Sequence, residues 1–125
     1  MTHGGAKILI VDDLEFMRAA LRGALNRLGF EAVEECGDGE EALAALRSTA
    51  FSLVISDWRM EPMDGLQLLA EIRADAALAA LPFILVTAET EPTIHARATT
   101  AGASLVLHKP FGAAALRSAL ADLNV

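Results

Sequence analysis

Four apolar runs in this chain end on residues that can do chemistry. Residues 7–11 run into Asp12 and Asp13, 51–55 into Ser56 and Asp57, 83–86 into Thr87, and 104–108 into Lys109. Short apolar runs bounded by turn formers read as strands buried on both faces, and in an open α/β sheet ligands bind outside the carboxyl ends of the strands. Asp57 is followed by Arg59-Met60-Glu61-Pro62-Met63-Asp64-Gly65, in which Pro62 and Gly65 form turns, so it stands at the mouth of a loop after a central strand. Each of these residues has an ordinary reading when taken alone. Asp57 would be a strand-end acid, Asp13 a helix cap, Thr87 a β-branched strand residue and Lys109 a solvated lysine. Their arrival at matching strand ends is what points to chemistry.

Two carboxylates about 4 Å apart repel by roughly 4 kcal/mol at an effective dielectric near 20, so three clustered acids need a cation. Oxygen-only ligands suit a small hard ion, and Mg²⁺, which keeps several waters and takes only one or two carboxylates, fits better than zinc. Lys109 balances the remaining charge. These are the parts that phosphoryl transfer to a carboxylate requires. Asp57 supplies the nucleophilic oxygen, Mg²⁺ draws charge from the phosphoryl oxygens, and Lys109 and the Thr87 hydroxyl hold the others. The extra charge on the acyl phosphate would draw Thr87 and Lys109 toward it and move the loops that carry them.

The intervening segments supply the frame. After Asp13, the residues Leu14, Met17, Leu21, Ala24, Leu25 and Leu28 recur at helical spacing, with Arg18, Arg22 and Arg27 off that face. Asp13 is the expected cap of this helix and Gly29 its end. A second strand is expected over 30–36, then a turn at Gly37-Asp38-Gly39 and a helix over 40–47. The central strand is followed by a helix carrying Leu66, Leu69, Ala70 and Ile72. After the strand 83–87 comes a helix that starts around 90–92, reaches Thr100 and is closed by Gly102, and after the strand 104–108 a last helix over 113–123. Five strand–helix repeats imply a parallel sheet, because each helix is the crossover that parallel neighbours need.

A length of 125 residues with a hydrophobic share of 54% fits one domain spanning 1–125 with one substantial core. The chain ends after the fifth helix, so no output domain is expected. The 17 Asp and Glu against 10 Lys and Arg argue against a DNA-binding surface. Cys36 is the only cysteine, which excludes an internal disulfide or a thiol cage for zinc; it is expected in the core at a strand end. No apolar run reaches membrane-spanning length and no signal peptide stands at the N-terminus. The expectation is a cytoplasmic monomer with a flexible tail over residues 1–6. His95 and His108 are expected to be surface residues, Trp58 to pack partly against the rim of the site, and Met17, Met60 and Met63 to be packing residues, with a place at the pocket mouth as the alternative for Met17.

The motifs Val11-Asp12-Asp13, Val54-Ile55-Ser56-Asp57-Trp58, Met63-Asp64-Gly65, Ile72-Arg73-Ala74-Asp75, Val86-Thr87-Ala88-Glu89, Ala101-Gly102-Ala103-Ser104 and Lys109-Pro110-Phe111, in this order over about residues 7–120, are specific together. The chain thereby resembles the receiver domain of bacterial two-component response regulators, in particular its CheY-like, single-domain chemotaxis type. The resemblance implies a flavodoxin-like (βα)5 fold with strand order 2-1-3-4-5. It implies phosphorylation of Asp57 by a histidine kinase or phosphotransfer protein, and Mg²⁺ held by Asp12, Asp13, Asp57 and the backbone carbonyl of Arg59. Thr87, the Ala88 amide and Lys109 would contact the phosphate, and Lys109-Pro110 would be cis.

It further implies a regulator whose only reaction is its own phosphorylation and dephosphorylation. A phosphate-ester hydrolase would need a second acid two residues after the nucleophile, where Arg59 stands. The output would be altered protein binding, with a flagellar motor switch as the first candidate, or alternatively the chain would act as a phosphate sink or relay. Three departures stand out. Val106 occupies a place usually held by an aromatic switch residue. Pro62 lies one place later than usual, which is expected either to reshape that loop or to place Glu61 near the site. Arg59 and Glu89 occupy the positions that tune dephosphorylation and are expected to pair across the pocket, hindering the attacking water.

Overall fold

The computed structural model describes residues 5–125. Strand and helix alternate throughout: β1 (Lys7–Val11), α1 (Glu15–Arg27), β2 (Ala32–Cys36), α2 (Gly39–Ser48), β3 (Leu53–Asp57), α3 (Gly65–Ala74), β4 (Phe83–Thr87), α4 (Pro92–Ala101), β5 (Leu105–His108) and α5 (Ala113–Asp122). The five strands form one sheet in the order β2-β1-β3-β4-β5, and every neighbouring pair is parallel. This is the flavodoxin-like receiver fold. The order reverses between β1 and β3, and such a switch point opens a crevice at the carboxyl ends of the strands. Val11 and Ser56 are register partners there, so Asp12 and Asp57, each one residue further on, emerge side by side.

Side chains alternate across the sheet, and each face has its own core. On one face Leu9, Val11, Val54, Phe83 and Leu85 pack with Leu43, Leu69 and Ile94 of α2, α3 and α4. On the other, Ile8, Ile10, Ile55, Ile84 and Val86 pack with Leu25 of α1 and Leu116 and Leu120 of α5. Every residue of β3 and β4 is buried, as strands covered by helices on both faces require. Cys36 ends β2 and is buried in the first of these cores. Among the described residues no helix is long and apolar enough to cross a membrane. Of the tail expected over 1–6, only Gly5 and Ala6 fall within the described residues.

Helix boundaries follow local chemistry. In α3 the Asp64 carboxylate accepts from the Gln67 amide while the Gln67 side chain accepts from the Asp64 N–H, a reciprocal capping box. Pro92 opens α4, where a missing N–H costs nothing, and Gly102 closes it at φ 103°. The expected cap of α1 is not made. Leu14 is the N-cap and carries no capping side chain; the Leu14 N–H is instead taken by the Asp12 carboxylate at 2.9 Å, leaving Asp13 facing outward. Leu14 is also 47% exposed rather than turned into the core, because it precedes the helix and so escapes its periodicity.

Candidate functional site

Asp12, Asp13, Asp57 and Lys109 converge. The three carboxylates each present an oxygen within 4.8 Å of the others. The Lys109 Nζ donates to Asp57 Oδ1 at 2.8 Å and lies 3.8 Å from Asp12 Oδ2. Lys109 is placed there by the end of β5: its own N–H bonds the Thr87 carbonyl at 2.8 Å, and the Lys109-Pro110 peptide after it is cis. The Glu61-Pro62 peptide is cis as well, and Glu61 is exposed.

Asp12 and Asp57 are buried while Asp13 is exposed. Burial raises the Asp12 carboxyl above its ordinary range, against the Leu14 amide bond that lowers it; the neighbouring Asp57 and Asp13 charges raise it further, and Lys109 lowers it. A partly buried set of oxygen donors with more negative charge than its one ammonium can cancel is what a hard divalent cation binds. The described residues therefore form a cluster that could hold a metal ion.

Thr87 ends the next strand, where Asp57 is in register with Val86, and Ala88 follows it. The Thr87 Oγ1 accepts from the Glu89 N–H at 3.0 Å, which leaves its own hydrogen free for another acceptor. Val106 sits two residues earlier along the sheet, opposite Leu85, half-buried against the α3/α4 core. It lies away from the acids. On the other face Met17, Asp12, Asp57, Ala88 and Lys109 border a cavity of about 630 Å³ between α1 and α5, so Met17 does flank the site.

The loop after β3 holds two surprises. Trp58 is 3% exposed, within the core rather than at the rim. The Arg59 guanidinium carbon lies 4.0 Å from its ring centre and that of Arg97 of α4 lies 5.6 Å away, while its Nε1–H is buried without an acceptor among the described residues. Arg59 also meets Glu89 at 3.4 Å across the exposed edge of the site, the pairing expected from the sequence. The second surprise is Gly65. The motif marks it as a turn former, yet its role is close approach: a methyl group there would collide with the Asp57 carbonyl oxygen and lie 2.9 Å from Leu85 and 3.0 Å from the Trp58 Cα. The start of α3 is thus pressed against the backbone that presents Asp57. His95 and His108 are exposed, as expected.

Arg18 and Glu35 escaped the sequence reading. By spacing Arg18 lies off the apolar face of α1, and it folds back to donate to the Asp12 carbonyl at 2.6 Å and to Glu35 at 3.2 Å. The one available signal was position: an arginine in the first turn after two acids, opposite a glutamate at the end of the neighbouring strand.

The model of the response regulator receiver domain matches residues 8–121. The chain is 42% identical over 114 residues to the chemotaxis protein CheY-3 of Vibrio cholerae, covering 91% of this chain and 88% of that one. It is 41% identical over 111 residues to the chemotaxis protein CheY of Pseudomonas aeruginosa, covering 89% and 90%. Among solved structures it superposes on Vibrio cholerae CheY4 with a TM-score of 0.87 at 33% identity, covering 94% of this chain and 98% of that one. A sheet that brings three acids and a lysine to one crevice, and relatives that share it over nearly their whole length, place this chain in the response regulator receiver family, among its CheY-like members.

Proposed function

We propose that residues 1–125 act as a single-domain, cytoplasmic, monomeric response regulator. Asp57 accepts a phosphoryl group from a histidine kinase or phosphotransfer protein in a Mg²⁺-dependent reaction, and the phosphorylated form binds a protein target in chemotaxis or motility, with a flagellar motor switch as first candidate. The observation that carries this reading is the Lys109–Asp57 contact of 2.8 Å inside the three-acid cluster. The chemotaxis names of its relatives support the biological setting.

In this reading Asp12, Asp13, Asp57 and the Arg59 backbone carbonyl hold the ion, which when bound withdraws charge from the phosphoryl oxygens. Asp57 supplies the attacking oxygen, and the donor's bond to phosphorus breaks as the new one forms. Lys109 leaves its partner oxygen on Asp57 for a phosphoryl oxygen, and the Thr87 hydroxyl and Ala88 amide donate to others. Arg59 and Glu89 tune how readily water reaches the acyl phosphate. The chemistry is confined to the chain's own aspartate, so it is a regulator and not an enzyme acting on a separate substrate. DNA is not among its partners, in keeping with an acid excess of 17 against 10.

Incubation with acetyl phosphate and Mg²⁺ followed by mass spectrometry tests the core of this: one phosphoryl group on the wild type, none on Asp57→Asn or in the presence of EDTA. Equal labelling of wild type and Asp57→Asn would defeat it. A second reading, a phosphate sink or relay without a dedicated target, is favoured by Val106, whose side chain is too small to make the inward swing of an aromatic ring. Titrating phosphorylated and unphosphorylated protein against a motor switch peptide and against the kinase separates the two.

A further inference from the structure

Asp13 is the least supported of the acids. Its carboxylate is exposed and makes no hydrogen bond or ion pair among the described residues, so its direction is set by the peptide that joins it to Asp12. That peptide is held from several sides. The Asp12 N–H donates to the Cys36 carbonyl at 3.1 Å, and the Asp12 carboxylate accepts from Leu14 at 2.9 Å. The Asp12 carbonyl, which fixes the plane of the Asp12–Asp13 bond, is held by the Arg18 guanidinium at 2.6 Å.

Arg18 is in turn anchored. Its Nε donates to Glu35 Oε1 at 3.2 Å, and the second oxygen of Glu35 is taken by Arg22 Nε at 2.6 Å. The guanidinium also lies over Gly37, with Nη1 3.7 Å from where a Cβ would be, so it fills the space between the β1–α1 and β2–α2 loops. Its side chain is 18% exposed. A planar fork presents separated N–H groups in fixed geometry to a carbonyl and a carboxylate, whereas an ammonium is a compact point charge whose rotatable donors do not fix that geometry.

We propose that Arg18, braced by Glu35, is a positioning residue for the cation site: it fixes the Asp12–Asp13 peptide and thereby aims Asp13 at the ion. This rests on the reading of Asp12 and Asp13 as cation ligands. Groups that orient metal ligands commonly change affinity tenfold or more when removed. The sign of the effect separates positioning from electrostatics. Taking a positive charge away from beside the acids would, by Coulomb attraction alone, tighten cation binding; loss of positioning weakens it.

Mg²⁺ affinity is measured through the fluorescence of Trp58, the only tryptophan, at a temperature where every variant is folded by circular dichroism. Arg18→Met is expected to raise the Mg²⁺ Kd by about tenfold, the lower end of the effect of removing a group that orients metal ligands. Arg18→Lys, which keeps the charge, should raise it by about threefold, since a compact ammonium lacks the separated, rigid donors with which the fork holds the two acceptors in place. Arg117→Met, which removes an exposed charge from α5, serves as the control and leaves Kd unchanged or slightly lower. Equal or tighter binding in both Arg18 variants overturns the proposal. If Arg18→Met does not fold, Arg18→Lys decides alone, because it changes fork geometry at constant charge. Absence of Mg²⁺ binding by the wild type would instead defeat the cation-site reading, so the two failures are distinguishable.

Discussion

Removing Asp13 should make the metal-free protein more stable. The three carboxylates present oxygens within 4.8 Å of one another, and at that distance a like-charge pair costs about 0.9 kcal/mol in water and about 3.5 kcal/mol at an effective dielectric of 20. Asp13 is exposed, so the water figure applies to each of its two repulsions. Against this relief, Asp13→Ala forfeits a weaker attraction to Lys109, which is turned toward Asp57 and Asp12, and about 0.3 kcal/mol of favourable interaction with the amino end of α1. Roughly 1 kcal/mol of net stabilisation remains. For 125 residues the entropy of unfolding converts this into about 4 °C.

The measurement is thermal unfolding by calorimetry in EDTA at low salt, where Asp13→Ala should melt about 4 °C above the wild type. At ten times its Kd, Mg²⁺ should stabilise the wild type by about 1.4 kcal/mol, or about 5 °C, and the variant far less, so the gap of about 4 °C should close on adding the ion. Salt at 1 M, with a Debye length of about 3 Å, should shrink the EDTA difference. A variant that melts below the wild type in EDTA would show that the acids are not under mutual repulsion in the folded state, and the cation argument would fail with it.

Three further outcomes are expected. Gly65→Ala forces the start of α3 away from the Asp57 carbonyl and should cost about 2 to 3 kcal/mol together with slower labelling by acetyl phosphate, read by calorimetry and mass spectrometry; unchanged values would mean that the helix start has room to shift. Arg59→Ala breaks the exposed contact with Glu89 and the stacking over Trp58 and should cost about 1 kcal/mol of stability while shortening the acyl-phosphate lifetime by about twofold or more, and a lifetime that does not shorten would count against the assigned role. The hydrogen bond from Arg22 holds the Glu35 carboxyl below its ordinary value of 4.5, so the stability it gives is fully present above pH 4.5 and is lost as pH falls through the lower folded value. The melting deficit of Glu35→Gln should therefore be constant from pH 7 to pH 5 and narrow below pH 4.5.

Why Asp12, Asp57, Thr87 and Lys109 were legible in the sequence is clear from the register. Each follows an apolar run, and in a parallel sheet the runs are aligned by their buried residues, so their ends must lie along one edge. What the pattern could not reveal depends on side chains leaving their own element. Arg18 has the spacing of a surface residue on α1 and acquires its role from Glu35 on β2 and the Asp12 carbonyl. Trp58 follows an acid at a strand end, where a rim position is the natural expectation, and is buried because strand alternation continues one residue past Asp57 onto the α3/α4 face. Gly65 reads as a turn residue, and only the approach of α3 to β3 shows that any side chain at all is excluded there.

The same long-range contacts explain why the acids keep an uncompensated negative charge. Three carboxylates and one ammonium leave two negative charges at the crevice. Two arginines lie close enough to the acids in sequence to relieve this, and both are occupied. Arg18 gives one edge to Glu35 and another to a backbone carbonyl, which takes no formal charge; Arg59 lies against the Trp58 ring and meets Glu89. Had either guanidinium forked onto Asp57 or Asp13, the bidentate pair would compete with any cation and would block the oxygen proposed as the nucleophile. By matching each arginine with a glutamate, the fold keeps the deficit at two units, the charge of one divalent ion. It follows that freeing Arg59 by Glu89→Ala should weaken Mg²⁺ binding even though it removes no proposed ligand, and a Kd equal to that of the wild type would show that the guanidinium cannot reach the acids.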